Sequence, residues 1–464
     1  MATPARAVRQ RVPAVGGGAT LRALEALFAP LATRDFAVRL WTGEVLPATA
    51  GVAPRFVLVL THPASLLRML WPPGELTVAE AFVRGDWDVE GDLVAAISLR
   101  DRLRLGPRDL LTLAPLVPAL LRHAAPAAPR SGAARLRGRK HTLGRDADAV
   151  RHHYEAGNDF YALWLDARMV YSCAYFPEPT TTLDAAQEAK LELVCRKLRL
   201  APGDRLLDVG CGWGGLVTWA AEHHGVTALG VTLSPAQAEL ARERIAARGL
   251  ASRCRVEVAD YRALRAEPFD KVVSVGMVEH VGVAQLPTYF RRAAELLRPG
   301  GLFLNHGIAP AVPRDDGLRA RLFREGSFLQ KYVFPDGELP FLHETAAAAV
   351  EAGLELRDVE SLREHYALTL HSWLARLEAR RAEAERVVGT TRYRVWRLYM
   401  AGAAADFERG QNTIYQAVYV KPEGGRSGLP LTRGGWYAEP RAAGQGSTPS
   451  SSSAASSSAG SRYT

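Results

Sequence analysis

The sequence predicts an α/β protein: a Rossmann-like domain built on a mostly parallel, seven-stranded sheet, preceded by a smaller α+β domain. Three observations lead there. Apolar strands alternate with helical patterns from residue 205 to residue 308, the order that yields a parallel sheet covered on both faces. One strand, 205–209, breaks into a glycine-rich turn and then a helix, reading LLDVGCGWGG over 206–215. At 464 residues the chain is too long for one ordinary core, so two domains plus tails are expected.

Composition narrows the class. An apolar content of 48% and a charged content of 23% fit a soluble globular protein. No stretch approaches the roughly 20 apolar residues of a membrane span; the best candidate, 110–121, is short and broken by Pro115 and Pro118. No apolar signal core precedes Leu21, so a cytoplasmic location is expected. Cys173, Cys195, Cys211 and Cys254 lack metal-type spacing and read as reduced thiols, with no metal site in view. The net charge of +9 makes nucleic acid and anionic membrane surfaces candidate partners. Arg130, Arg135, Arg137, Arg139, Lys140 and Arg145 form a cationic run without an acid. No aromatic is interleaved, which argues against single-stranded nucleic acid. Such a run suits a phospholipid surface, at about 1 kcal/mol per cation, or a solvated linker.

The elements follow in order. Residues 1–19 are predicted disordered. Residues 20–125 form the small domain, with a helix at 21–31, a strand at 56–60 and a short helix at 63–70. Leu76 to Val83 comes next, and 85–92 reads as an acidic turn flanking Trp87. That turn lacks the terminal Glu of an EF-hand loop. A basic linker covers 126–145. The large domain, 146–422, has strands at 205–209, 226–232, 254–258, 270–276 and 301–308. Helices are predicted at 215–224, 235–248 and 285–298. An insertion over 310–344 is followed by a strand at 355–361, helices at 370–388 and 392–409, and a last strand at 414–420. From Glu423 the Gly/Ser-rich tail is predicted disordered.

Ligands of open parallel sheets bind at the C-terminal ends of the strands. Asp208-x-Gly210-x-Gly212-x-Gly214 lacks the pyrophosphate spacing of the dinucleotide fingerprint. It reads as an S-adenosylmethionine (SAM) loop, with an ordinary Gly-rich turn as the bland alternative. After the second strand no acid is placed for the ribose, so Thr232, the Leu233 backbone and Gln237 are assigned to it. Asp260 and Tyr261 follow the third strand, placed to bracket an adenine. Glu279 follows the fourth, and His306 and Ile308 the fifth. Glu279 and His306 therefore meet on one rim, which favours an active site. The aromatic blocks 151–161 and 171–176 read as a cap over the cofactor or as a packed helical lid. Cys173 reads as a buried, inert thiol.

The blocks HHYEAGNDFY, MVYSCAYF, LLDVGCGWGG, GVTLS, VADYR, SVGMVEHVG, KYVFPDGELP and REHYALTL together resemble the cyclopropane fatty-acyl-phospholipid synthase family, over about residues 20–420. ELTVAEAFVRGDWDVEGDL resembles the N-terminal lipid-associating domain of that group. The resemblance implies SAM-dependent transfer of one carbon to the cis double bond of a membrane phospholipid. A carbocation forms, bicarbonate acts as base, and a cyclopropane results. It implies a bicarbonate pocket of Cys173 and Ile308 through backbone groups, with Glu279, His306 and Tyr366 through side chains. It places cofactor contacts on Tyr154, Ser172, Gly210, Gly212, Thr232, Leu233, Gln237 and Tyr261. Asn305 departs from the family pattern, where an apolar residue is ordinary.

This chemistry demands a dry site. Tyr154, Tyr175 and Tyr366 are expected to face the cation, worth up to roughly 2 kcal/mol each. An anion beside an ionised Glu279 would set two like charges together, so either the two share a proton or His306 is charged when the anion is bound. Removing the proton from the new methyl closes a ring, and removing it from a neighbouring carbon leaves a methylene branch. Three rivals remain: a branching fatty-acyl methyltransferase, a small-molecule N-methyltransferase and a non-catalytic lipid-binding relic. The expected partner is unsaturated phospholipid at the inner face of the membrane, without nucleic acid; a homodimer is left open. Removing residues 20–125 is expected to harm action on vesicles more than SAM binding.

Overall fold

The computed structural model describes residues 17–70, 74–103, 133–134, 138–313 and 328–437. The chain divides into two units, Met1–Gly428 and Leu429–Thr464. The second contributes one short described helix, Gly434–Tyr437.

Helix α1 (Gly17–Phe28) leads into a four-stranded sheet. Its strands are β1 (Phe36–Arg39), β2 (Val45–Leu46), β3 (Phe56–Leu60) and β4 (Trp87–Gly91), in the order β2-β1-β3-β4. Helices α2 (Ser65–Leu70) and α3 (Glu75–Arg84) join β3 to β4, and α4 (Leu93–Arg102) follows. The expected acidic turn at 85–92 is thus largely a strand. Its turn is confined to Gly85, which ends α3 in the left-handed region at φ 83°. Trp87 and Val89 alternate inward and are buried, and β4 pairs antiparallel with β3. The acids are explained by cations and a cap. Asp86 accepts from Arg68 at 2.7 Å and Arg84 at 2.9 Å. Burial pushes its carboxyl up, but the bonds from His62, Arg68 and Arg84 prevail and hold it at about 2. Glu90 pairs with Arg39, and Asp92 caps α4 by accepting from the Ala95 amide at 2.8 Å.

The second sheet follows α5 (Leu143–Tyr154), α6 (Asn158–Ala162) and α7 (Leu183–Lys197). It begins with β5 (Arg205–Val209), α8 (Gly215–His224), β6 (Thr227–Thr232), α9 (Pro235–Ala247) and β7 (Cys254–Val258). Next come β8 (Phe269–Val275), α10 (Val278–Val281), α11 (Leu286–Leu296), β9 (Leu297–Pro310), α12 (Phe328–Tyr332) and α13 (Leu342–Glu351). The chain then forms β10 (Glu355–Ser361), α14 (Arg363–Ala379), α15 (Arg381–Glu408, broken at Gly389) and β11 (Asn412–Val420). The strand order is β10-β11-β9-β8-β5-β6-β7. Strands β5 to β9 pair in parallel, and β11 runs antiparallel between β9 and β10. The strand order reverses between β5 and β8, which opens a crevice at their C-terminal ends.

The expected division into two domains needs correction. Each part has its own sheet, but one apolar core runs from Leu24 through Phe82 and Trp87 to Trp396 and Ile414. Buried guanidiniums join the parts. Arg394 donates to the Phe82 and Trp87 carbonyls and to Asp88, each at 2.7 Å. Arg397 donates to Asp88 at 2.8 Å and to the Val89 carbonyl at 3.0 Å.

Of the cationic run, Arg130, Arg135 and Arg137 lie outside the described residues. Arg145 is committed to Asp336 at 2.5 and 2.8 Å. Among the described residues no helix is long and apolar enough to cross a membrane.

Candidate active site

Strand β5 delivers Asp208 to the crevice, and the glycine loop turns there. Gly210, Gly212 and Gly214 hold φ of 82°, 54° and 77°, a region costly for any residue with a Cβ. The loop rests on β6 because residue 230 is also glycine: a Cβ there would lie 2.7 Å from the Cys211 sulfur. Above the loop lies a cleft with roughly 1050 Å³ of empty space, its open mouth included.

Ten of the proposed cofactor residues line this cleft: Tyr154, Ser172, Asp208, Gly210, Gly212, Thr232, Leu233, Gln237, Asp260 and Tyr261. Gly214 does not. It precedes α8, and a Cβ on it would meet the Ala241 Cβ at 3.2 Å, so it serves helix packing. Lys190, Trp213, Met277 and His280 also line the cleft and were not expected from sequence. Lys190 was legible in principle. Ala186, Lys190, Leu191, Val194 and Lys197 share one buried stripe of α7, and a cation inside an apolar stripe is a signal in itself.

The cleft's polar groups have defined directions. The Thr232 hydroxyl donates to Gln237 Oε1 at 2.7 Å. That leaves the buried Gln237 Nε2 facing the Tyr154 hydroxyl without a well-formed hydrogen bond. Arg262 clamps Asp260 at 2.6 Å. Lys190 Nζ donates to Ser172 Oγ at 2.9 Å. An ammonium can only donate, so the serine accepts and its own hydrogen is free for another acceptor. Burial pushes Asp208 up to about 7, against the pull of Lys190. Burial pushes Lys190 down to about 8, opposed by Asp166, Cys173 and Asp208. A glycine cradle and an amide donor without a well-formed bond suit a ligand with ribose and amino-acid ends.

The five residues proposed to hold the anion do not line the cleft; Ser172 and His280, next to Cys173 and Glu279 in sequence, do. They nevertheless come together. The Ile308 amide donates to Glu279 Oε1 at 2.7 Å. Because that amide is committed, only the rest of the Ile308 backbone remains for a ligand. His306 stands two residues away on β9, on the same face. Its Nδ1 lies 3.2 Å from Gln416 Nε2. The Cys173 thiol donates to the Ala174 carbonyl at 3.2 Å, beside the Leu362 carbonyl. Burial raises its pKa, which keeps it a thiol. Tyr366 sits close enough to Cys173 and Glu279 to feel both charges, and it meets Tyr399. The Tyr171 hydroxyl in turn donates to that of Tyr399 at 3.3 Å.

Glu279 Oε2 and His306 Nε2 are buried without a hydrogen-bond partner. Burial pushes Glu279 up to about 7, although the Ile308 bond pulls the other way. Burial and the charges of Lys190 and Lys197 drive His306 well below its ordinary value. Without an anion beside it, His306 is therefore held neutral. One open acidic oxygen and one open ring nitrogen fit a small oxyanion that carries a proton.

Two further expectations change. Tyr175 is committed elsewhere: it stacks on His365 at 4.8 Å and is half-buried. Asn305 points to the opposite face of β9, where Tyr289 donates to it at 2.9 Å. The aromatic wall is instead built from Tyr154, Tyr161, Trp164, Tyr171, Trp373, Trp396 and Tyr399, with neighbouring rings 5.2–6.2 Å apart.

The mycolic acid cyclopropane synthetase family model matches residues 141–417. The chain is 42% identical over 417 residues to a Pseudomonas putida protein named Probable fatty acid methyltransferase, covering 89% of this chain and 98% of that one. It is 35% identical over 283 residues to the Cyclopropane-fatty-acyl-phospholipid synthase of Escherichia coli K12, covering 61% and 70%. The crystal structure of a mycolic acid cyclopropane synthase complexed with SAH and CTAB aligns with a TM-score of 0.56 at 35% identity, over 59% of this chain and 97% of that one.

Proposed function

Because the chain belongs to the mycolic acid cyclopropane synthetase family and is a SAM-dependent methyltransferase, we propose that it moves one carbon from SAM to the cis double bond of an unsaturated phospholipid acyl chain, closing a cyclopropane. The observation that carries this reading is the pair of unpartnered atoms, Glu279 Oε2 and His306 Nε2, buried among aromatic rings behind the cofactor cleft.

SAM, when bound, supplies a methyl group on a sulfonium. Gly210 and Gly212 bring bare backbone to it, and Gln237 Nε2 and the Ser172 hydroxyl offer donors to its polar ends. An alkene is a weak nucleophile, so orientation and dryness must supply much of the rate. The aromatic wall keeps water from a developing cation, and the rings of Tyr154 and Tyr366 can face it. Bicarbonate, when bound between Glu279 and His306, would supply a small base that a greasy chamber can enclose. Glu279, raised to about 7 by burial, can hold a proton at neutral pH and so avoids a clash of like charges.

SAM turnover on vesicles of unsaturated and of saturated phospholipid tests the reading. Turnover on the unsaturated vesicles alone supports it; equal turnover on both, or none on either, removes it. The vesicle assay also addresses peripheral contact with a membrane surface, which belongs to the same proposal. A second reading, a methyl- or methylene-branched product, draws support from the P. putida relative, whose name is a fatty acid methyltransferase and which spans nearly the whole chain. Proton NMR of the extracted lipid separates the two outcomes, because ring protons appear at high field and vinylic protons at low field.

A further inference from the structure

A chain of three buried side chains, Lys197, Gln416 and His306, fixes which nitrogen of His306 carries its hydrogen. Lys197, on the buried face of α7, is fully enclosed and paired with Glu360 of β10. Beside that carboxylate it is an ammonium and can only donate. Lys197 Nζ lies 2.8 Å from Gln416 Oε1, so the amide oxygen is the atom facing it. A flipped amide would turn its NH2 toward the ammonium, donor against donor.

With the oxygen so placed, Gln416 Nε2 points at His306. Gln416 and His306 are direct cross-strand partners of β11 and β9, both fully buried. The amide nitrogen is a donor, so His306 Nδ1, at 3.2 Å, must be a bare lone pair. Rotating the ring by half a turn would set a C–H there and forfeit the bond. A doubly protonated ring would set N–H against N–H. The hydrogen therefore sits on Nε2, the nitrogen without a partner.

We infer that Lys197 and Gln416 are positioning residues that lock His306 as an Nε2–H donor, so that His306 can bind an anion through that nitrogen but does not accept the substrate's proton. The inference rests on the proposed role of Glu279 and His306, but its test does not depend on the substrate.

The test is nitrogen-15 NMR of the full-length, SAM-free protein labelled at histidine, with His306 assigned by the loss of its signals in His306→Gln. At neutral pH the expected spectrum shows a protonated Nε2 and an unprotonated Nδ1. A hydrogen on Nδ1, or an imidazolium, overturns the inference. Gln416→Glu places a carboxylate acceptor at both contacts. His306 is then expected to gain a hydrogen on Nδ1, and kcat to fall at least tenfold with the Kd for SAM within twofold of wild type. An unchanged tautomer in a Gln416→Glu protein that still binds SAM would also overturn it. The wild-type spectrum decides the question even if the variant fails to fold. Turnover restricted to unsaturated vesicles together with an Nδ1–H spectrum would leave the proposed function standing and remove this inference alone.

Discussion

The ammonium of Lys190 holds the Ser172 hydroxyl at 2.9 Å, on the wall of the cofactor cleft. A buried cation thus sets the direction of a neutral group that faces the ligand. Lys190→Met frees the serine to turn its hydrogen elsewhere and removes the cation that pulls Asp208 down. A hydrogen bond involving a charged partner contributes about 1.5–3 kcal/mol. SAM affinity by calorimetry should therefore fall at least tenfold. The protonation step of Asp208 should move above its present value of about 7, and affinity should shift with pH accordingly. An unchanged Kd in the variant would mean that Ser172 is oriented by something else.

Glu279→Gln should abolish turnover while stabilising the ligand-free protein at alkaline pH. The sign follows from burial. The folded carboxyl is raised from 4.5 to about 7, so the folded state holds its proton longer than the unfolded chain. Stability is then lost as pH rises from about 4.5 to about 7, by up to about 3 kcal/mol. Glutamine carries no such loss. Melting curves of the two proteins should converge near pH 4 and separate to a constant gap above pH 7. Full activity of Glu279→Gln with saturating bicarbonate, and an unchanged pH profile, would end the idea of a shared proton.

Asp88→Ala should be severely destabilising. Asp88 accepts from Arg394 at 2.7 Å and Arg397 at 2.8 Å. Removing it leaves the nearly buried Arg394 with carbonyl acceptors alone, while Arg397 keeps Glu378; a loss of about 3 kcal/mol is expected, visible in denaturant melts. By the same logic, removing residues 17–102 should cost SAM binding and vesicle activity alike. This reverses the expectation drawn from sequence, because the shared core and both arginines would be uncovered.

Asn305→Leu should leave the ratio of ring to branched product unchanged. The side chain faces Tyr289, on the face of β9 opposite His306. A changed ratio by lipid NMR would mean that the opposite face of β9 reaches the reacting carbon.

Gly230→Ala should lower SAM affinity at least tenfold without unfolding the protein. Its new methyl group would meet the Cys211 sulfur at 2.7 Å and lift the glycine loop from β6. Calorimetry alongside a melting curve separates loop displacement from global loss.

Much of the large sheet was legible because its strands, such as Leu206 to Val209, are apolar runs broken by glycine. The misreadings have physical causes. In Trp87 to Gly91 the exposed face of a strand is acidic because arginines from α15, some 300 residues later, cover part of it. A local reading sees only the acids and predicts a turn. Asn305 and His306 are sequence neighbours, but a strand sends them to opposite faces, so adjacency misled. Tyr175 was assigned by residue type, and only packing against His365 shows that it turns away. Lys197 and Gln416 escaped notice because their partnership joins a helix to a strand 219 residues apart. Glu279 and His306 were nominated together because strand ends in a parallel sheet form one rim.

The buried arginines of α15 also constrain ancestry. The family model begins at residue 141, whereas the groups that satisfy Arg394 and Arg397 include carbonyls and a carboxylate between residues 82 and 89. A lineage that shed or acquired the front segment would strip or supply the acceptors of Arg394, whereas Arg397 keeps Glu378, so a trade for an uncharged side chain is expected at position 394 in step with that event. Position 394 should therefore tell a long-form homologue from a short one, even in a fragment that lacks its beginning.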